Sequence, residues 1–176
     1  VGAIREAQLG MKVACVEKRK GLGGTCLNVG CIPSKALLDS SEHFHFAKTK
    51  MSKHGIQVGE VKMEVPQMIQ RKNDIVRQMN MGIAGLFKKN KIDHILGLGS
   101  FQQIQGDQKI IEVHGEGSSH VLSAAKIVIA TGSEPAELPF LKFDGKNILS
   151  STEILDLQAI PEHLVVIGGG VIGLEM

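Results

Sequence analysis

Apolar residues follow two rhythms along this chain: helical spacing through the first half, and short uninterrupted runs that mark buried strands. Ile4, Ala7 and Gln8 lead into Leu9-Gly10, a helical pattern closed by a glycine suited to the first position past a helix. Residues 11–17 (MKVACVE) are apolar apart from their ends and predict a buried parallel strand. Residues 33–53 predict a helix with Pro33 in its first turn, Leu37, Phe44 and Met51 on one face, and Gly55 as its stop. A longer helix is predicted over 66–90, where Met68 or Ile69, Ile75 or Val76, Met79, Ile83 and Leu86 or Phe87 repeat at helical spacing. Its methionines read as core packing. Residues 92–101, 109–113 and 120–122 predict strands, with Gly115-Glu116-Gly117 as the turn between the last two. The runs 125–130 (AKIVIA) and 164–167 (LVVI) predict two further buried parallel strands. The expected order is thus α/β, a helical pair, a small antiparallel group, and a return to α/β.

Composition narrows the classes. A chain of 176 residues that is 43% hydrophobic and 22% charged can bury a core. Its net charge of +2 is too small to imply nucleic acid or an acidic membrane as partner. With no Trp or Tyr, base-stacking platforms and aromatic membrane belts are also disfavoured, and no apolar run reaches a membrane span. Three cysteines do not make a secreted disulfide framework. They point to a reducing compartment, read as cytoplasmic with the mitochondrial matrix as the alternative. The chain opens at Val1-Gly2-Ala3-Ile4, directly in a helix with no strand before it, and a second glycine loop lies close to Met176. Both ends therefore read as cuts in a longer protein.

The strongest chemical signal is GGTCLNVGCIPSKALL, residues 23–38. Cys26 and Cys31 bracket Gly30, and Pro33 announces a helix at once. That places Cys31 where unpaired helix N–H groups favour a thiolate, with Lys35 one turn further on. Cys26 comes within disulfide reach if the intervening residues make one turn. A zinc set of Cys26, Cys31, His43 and His45 competes, but the two histidines fall roughly 200° apart on a helix, so no metal site is expected. Cys15 reads as an inert core residue. Glu17 ends a parallel strand, where a dinucleotide fold places the acid that holds a ribose; alone it could equally be a solvated strand end. Gly168-x-Gly170-x-x-Gly173 follows an apolar run, the pattern of a turn that lets backbone N–H groups approach a pyrophosphate.

Together these stretches resemble the flavin-dependent pyridine nucleotide–disulfide oxidoreductases, and residues 23–38 resemble the dihydrolipoamide dehydrogenase branch of that family. Glutathione-reductase relatives carry two lysines after the proline, where this chain has Ser34-Lys35; mercuric reductases often share the Pro-Ser-Lys. The resemblance extends through ATGS (130–133) and VIGGGVIGLE (166–175). It implies a partial FAD-binding, Rossmann-like α/β domain over 1–150, lacking its first strand and glycine loop. An inserted helical pair and a small antiparallel sheet belong to it, and a truncated NAD-binding domain starts at 151–176. It implies that Cys26 and Cys31 form the redox-active disulfide, Cys26 exchanging with the dithiol and Cys31 facing the flavin. Glu17, Lys35, Gly99, Thr131, Gly132 and Ser133 correspond to FAD contacts, and Gly168, Gly170, Gly173 and Glu175 to the NAD fingerprint. The implied activity is oxidation of dihydrolipoamide, with electrons passing through the disulfide and FAD to NAD. The implied partners are a second copy of the chain and the lipoyl domains of 2-oxo acid dehydrogenase or glycine cleavage complexes. A mercuric or other disulfide reductase, and a non-catalytic α/β piece with idle cysteines, are the alternatives.

Overall fold

A computed structural model describes residues 1–105 and 108–176. Two compact units emerge, one made of Val1–Gly23 with Asn80–Gly132, the other of Gly24–Met79 with Ser133–Met176.

In the first unit, helix α1 (Gly2–Gln8) stops where expected, with Gly10 at φ 89° and its N–H donating to the carbonyl of Ala7. Strand β1 (Ala14–Glu17) pairs in parallel with β2 (Asp93–Leu96), Ala14 opposite Asp93 and Glu17 opposite Leu96. The strand expected over 11–17 is therefore shorter, because its length is set by its partner. The strand expected over 92–101 is in fact two. Gly97, at φ 155°, ends the parallel pair and sends the chain into a separate antiparallel sheet, β3 (Leu98–Gln105), β4 (Gln108–Gly115) and β5 (Ser118–Ala124), in that order. A Cβ at Gly97 would lie 2.7 Å from the His114 carbonyl oxygen, so only glycine permits the chain to pass β4 there. The β4–β5 turn falls on Glu116-Gly117, flanked by the Gly115–Ser118 pair. Leu22, Phe87 and Ile92 form the core of this unit, with Ile4, Ala7, Val13, Cys15 and Ile83 packed on it.

The second unit is mainly helical. Short α2 (Gly24–Val29) leads into α3 (Cys31–Thr49), a 3₁₀ turn over Met51–His54, and the left-handed Gly55 that stops it. Helix α4 (Val65–Lys89) begins here and ends in the first unit. Of its apolar stripe, Ile69 and Phe87 are the buried members, whereas Met79 and Leu86 are exposed. Core packing thus describes part of the stripe only. Helix α5 (Ser151–Ile154) starts with a reciprocal cap: Ser150 Oγ accepts from the Thr152 N–H at 3.1 Å and Glu153 Oε2 accepts from the Ser150 N–H at 2.7 Å. Helix α6 (Val171–Glu175) follows Gly170.

Two expectations are corrected. Neither 125–130 nor 164–167 is a strand, and both runs are largely solvent-exposed rather than buried. An apolar run becomes a strand only when another strand offers it a ladder, and none of the described strands does so.

Candidate functional site

The dithiol segment is built by the α2–α3 junction. Gly30 joins the two helices, and a Cβ there would sit 3.0 Å from the Thr25 carbonyl oxygen and 3.1 Å from Cys26 Cα. Glycine thereby lets the start of α3 fold back on α2 until Cys31 meets Cys26. Both are exposed free thiols, the reduced state of such a pair. Their mutual hydrogen bond pushes the Cys26 thiol up from its ordinary value, with partial desolvation acting the same way; the N–H groups of Cys31 and Ile32 oppose this by favouring the thiolate. The first amides of α3 thus act on Cys26, the cysteine before the helix. The structure places Cys31 itself at the first position of α3, as the sequence had suggested.

Ser34 and Lys35 follow within the first turns of α3. Lys35 Nζ lies 2.5 Å from Glu175 Oε1, and Ser34 Oγ lies 3.3 Å from Glu175 Oε2 and 3.2 Å from the Cys31 carbonyl oxygen. The Lys35 ammonium holds the Glu175 carboxyl below the usual carboxylate range. The sequence had assigned Lys35 and Glu175 to different cofactors and did not pair them, because a contact spanning 140 positions leaves no local pattern. Ser34 was not singled out as a site residue at all. Thr25 Oγ1 donates to the Ser133 carbonyl oxygen at 2.9 Å, which brings Ser133 to the start of α2.

Gly168 has φ 109°, and Cβ atoms at Gly168, Gly169 and Gly170 would meet nothing within 4 Å. At Gly173 a Cβ would fall 2.3 Å from the Gly168 carbonyl oxygen, so α6 can close against its own entry turn only with glycine there. Open glycines before the helix and a closed one inside it are the spacing a dinucleotide turn requires.

In the first unit, Glu17 closes β1 and its Oε1 accepts from the Arg19 N–H at 2.9 Å. Thr131 and Gly132 belong to this unit, Gly132 at φ 78°. Gly99 on β3 faces Val16, whose Cγ1 would lie 3.3 Å from an added Cβ. Cys15 is half-buried, and burial followed by the nearby Glu17 charge pushes its thiol up, as suits a packed, unreactive cysteine. His43 stands on α3 3.6 Å from Asp39, and His45 contacts Thr49. Among the described residues, no three metal-ligating side chains gather, and no helix is long and apolar enough to cross a membrane.

A hydrogen-bonded dithiol at the root of a helix, a lysine one turn on and a glycine turn of dinucleotide type are the arrangement suited to thiol–disulfide exchange beside a nucleotide. The model of the pyridine nucleotide-disulphide oxidoreductase family matches residues 1–176, and the chain belongs to that family. It is 47% identical over its whole length to dihydrolipoyl dehydrogenase 1, mitochondrial, of Arabidopsis thaliana, covering 34% of that protein. It is 46% identical over its whole length to the mitochondrial dihydrolipoyl dehydrogenase of Mus musculus, again covering 34%. The crystal structure of LpdA from Mycobacterium tuberculosis superimposes on 97% of this chain and 37% of that one, with a TM-score of 0.83 and 26% identity. The chain thus spans about a third of the length of the relatives it matches.

Proposed function

We propose that this chain is the dithiol-bearing part of a flavin-dependent dihydrolipoyl dehydrogenase. The observation that carries the reading is the hydrogen-bonded Cys26–Cys31 pair at the root of α3, in a chain close to half identical to proteins of that name. Residues 1–150 are assigned to FAD binding and 151–176 to the start of NAD binding. For FAD, Glu17 would hold the ribose, Lys35 would stand by the ring, and Gly99, Thr131, Gly132 and Ser133 would supply further contacts. The open turn at Gly168, Gly170 and Gly173, with Glu175, would belong to NAD, and its bare glycines fit a group that must approach backbone N–H groups. When bound, a flavin would supply a two-electron acceptor for the dithiol and a hydride donor for NAD⁺.

The work of the chain itself is thiol–disulfide exchange. A thiolate of dihydrolipoamide attacks Cys26 Sγ of the oxidised pair, and Cys31 leaves as thiolate, giving a mixed disulfide. The second substrate sulfur then attacks its partner, lipoamide closes, and Cys26 departs; two electrons have reduced the pair. Amides at the start of α3 favour the departing Cys26 thiolate.

We place the whole protein as a homodimer acting on lipoyl domains of 2-oxo acid dehydrogenase or glycine cleavage complexes. Its compartment would be reducing: cytoplasm, or the mitochondrial matrix that the names of the relatives give. The test is a full-length preparation assayed for bound FAD and for dihydrolipoamide:NAD⁺ turnover. Cys26→Ser should abolish turnover while flavin remains bound, and Cys31→Ser should do the same and remove long-wavelength charge-transfer absorbance. Mercuric-ion reduction without dihydrolipoamide turnover would replace this reading with the mercuric one.

A further inference from the structure

We propose that Ser34 is a positioning residue: its hydroxyl fixes the second carboxylate oxygen of Glu175 and so holds the Lys35 ammonium in one place over the first turns of α3. The inference deepens the dehydrogenase reading and rests on it for its kinetic consequence.

Lys35 is exposed, on a flexible four-carbon stem, and a surface ion pair of that kind has little power to hold its own geometry. Its bond to Glu175 Oε1 leaves the carboxylate free to turn about the Cγ–Cδ bond, carrying the ammonium with it. Ser34 Oγ, on the other oxygen, stops that rotation. Burial alone does not call for this contact. Ser34 is 5% exposed, yet its hydroxyl already reaches the Cys31 carbonyl oxygen within its own helix, the ordinary resting place of a helical serine. The single hydroxyl hydrogen is shared between that carbonyl and Glu175, which ties the carboxylate to the residue carrying the second thiol. One atom thus connects Cys31, Glu175 and, through Glu175, Lys35.

The test compares Ser34→Ala and Ser34→Thr in the full-length protein, each alone and with Glu175→Gln, together with a crystal structure of Ser34→Ala. The expected result is about a tenfold fall in kcat for Ser34→Ala, the size of one hydrogen bond to a charged group, with KM for dihydrolipoamide unchanged. Ser34→Thr, which keeps the hydroxyl, should stay close to the parent. In the Glu175→Gln background, Ser34→Ala should add nothing further. The crystal structure should show the Glu175 carboxylate turned and Lys35 Nζ moved with it from its parental position. Should Ser34→Ala lose its flavin, Ser34→Gly takes its place under the same criteria. Parental kcat in Ser34→Ala, a Ser34→Thr protein as slow as Ser34→Ala, or effects that add in full with Glu175→Gln would overturn the proposal. A wild-type protein without dihydrolipoamide turnover would instead remove the dehydrogenase reading, while the position of Lys35 would still decide whether Ser34 holds it.

Discussion

At the scale of single residues, Gly30 controls the dithiol more directly than any residue that bears a charge. Its missing side chain sets how closely α3 returns to α2, and backbone atoms, which cannot move aside cheaply, line the gap. Gly30→Ala is expected to cost about 1–3 kcal/mol through overpacking and to force the two sulfurs apart. Thiol counting before and after mild oxidation of the full-length variant checks this: the parent should lose two thiols within the chain and the variant should not. A variant that closes its disulfide at the parental rate would show that the junction has slack. Asp144 offers a pH test of a different kind. Its Oδ1 accepts N–H bonds from Lys146, Asn147 and Ile148, each at 2.8 Å, and these hold its carboxyl below the usual range. Because the folded value is depressed, the stabilisation is complete above the unfolded value of about 3.9 and is lost as pH falls through the lower folded value. The amide resonances of 146–148 should therefore titrate together, with a midpoint below about 3.9. A midpoint at or above it contradicts the hydrogen-bonded loop.

Among the elements, α4 and α5 are joined by a buried lysine. Lys72 Nζ reaches the Leu155 carbonyl oxygen at 3.0 Å and pairs with Asp156, so a residue that composition assigns to the surface is a tether between a long helix and the end of a short one. Lys72→Met keeps most of the volume and strands the Leu155 carbonyl, at a cost of about 1–3 kcal/mol. Urea unfolding should show a lower midpoint at an unchanged slope, and equal midpoints would mean that water replaces the ammonium without loss. The same elements show what was legible in the sequence. Helices α3 and α4 were read within a residue or two at most ends, because their hydrogen bonds close within four positions and Pro33, Gly55 and the apolar spacing report on them locally. The Ser150–Glu153 cap carries the same kind of local signal and went unread. Strands differ. Residues 125–130 look as apolar as residues 14–17, yet only the latter have a ladder partner, at 93–96, and no local pattern states which segment will lie alongside. In the site, Cys26, Cys31 and the Gly168 turn were legible as spaced motifs. The Ser34–Glu175–Lys35 cluster was not, since it exists only after α6 meets α3.

For the molecule as a whole, the exposed apolar runs deserve a test of their own. Val128 is 72% exposed and Ile129 70%, and Val165 and Ile167 are 84% and 70% exposed. Both segments combine β-branched residues with backbone that joins the ladder of no described strand, the conditions under which a chain pairs with another copy of itself. The relatives that align over the whole of this chain are about three times longer. If strands of a larger protein supply the ladders, one pair of substitutions should act with opposite sign in the two contexts. In the 176-residue polypeptide, Val128→Lys with Val165→Lys should suppress self-association, because charge on an open edge blocks pairing. In the full-length protein the same two lysines should lower stability by several kcal/mol, because each must then leave water for a packed sheet. Sedimentation velocity on the short chain and urea unfolding on the long one read the two effects separately. A short chain that sediments as a monomer without the substitutions, or a full-length protein that accepts both lysines at unchanged midpoint, would show that these runs are not waiting strands.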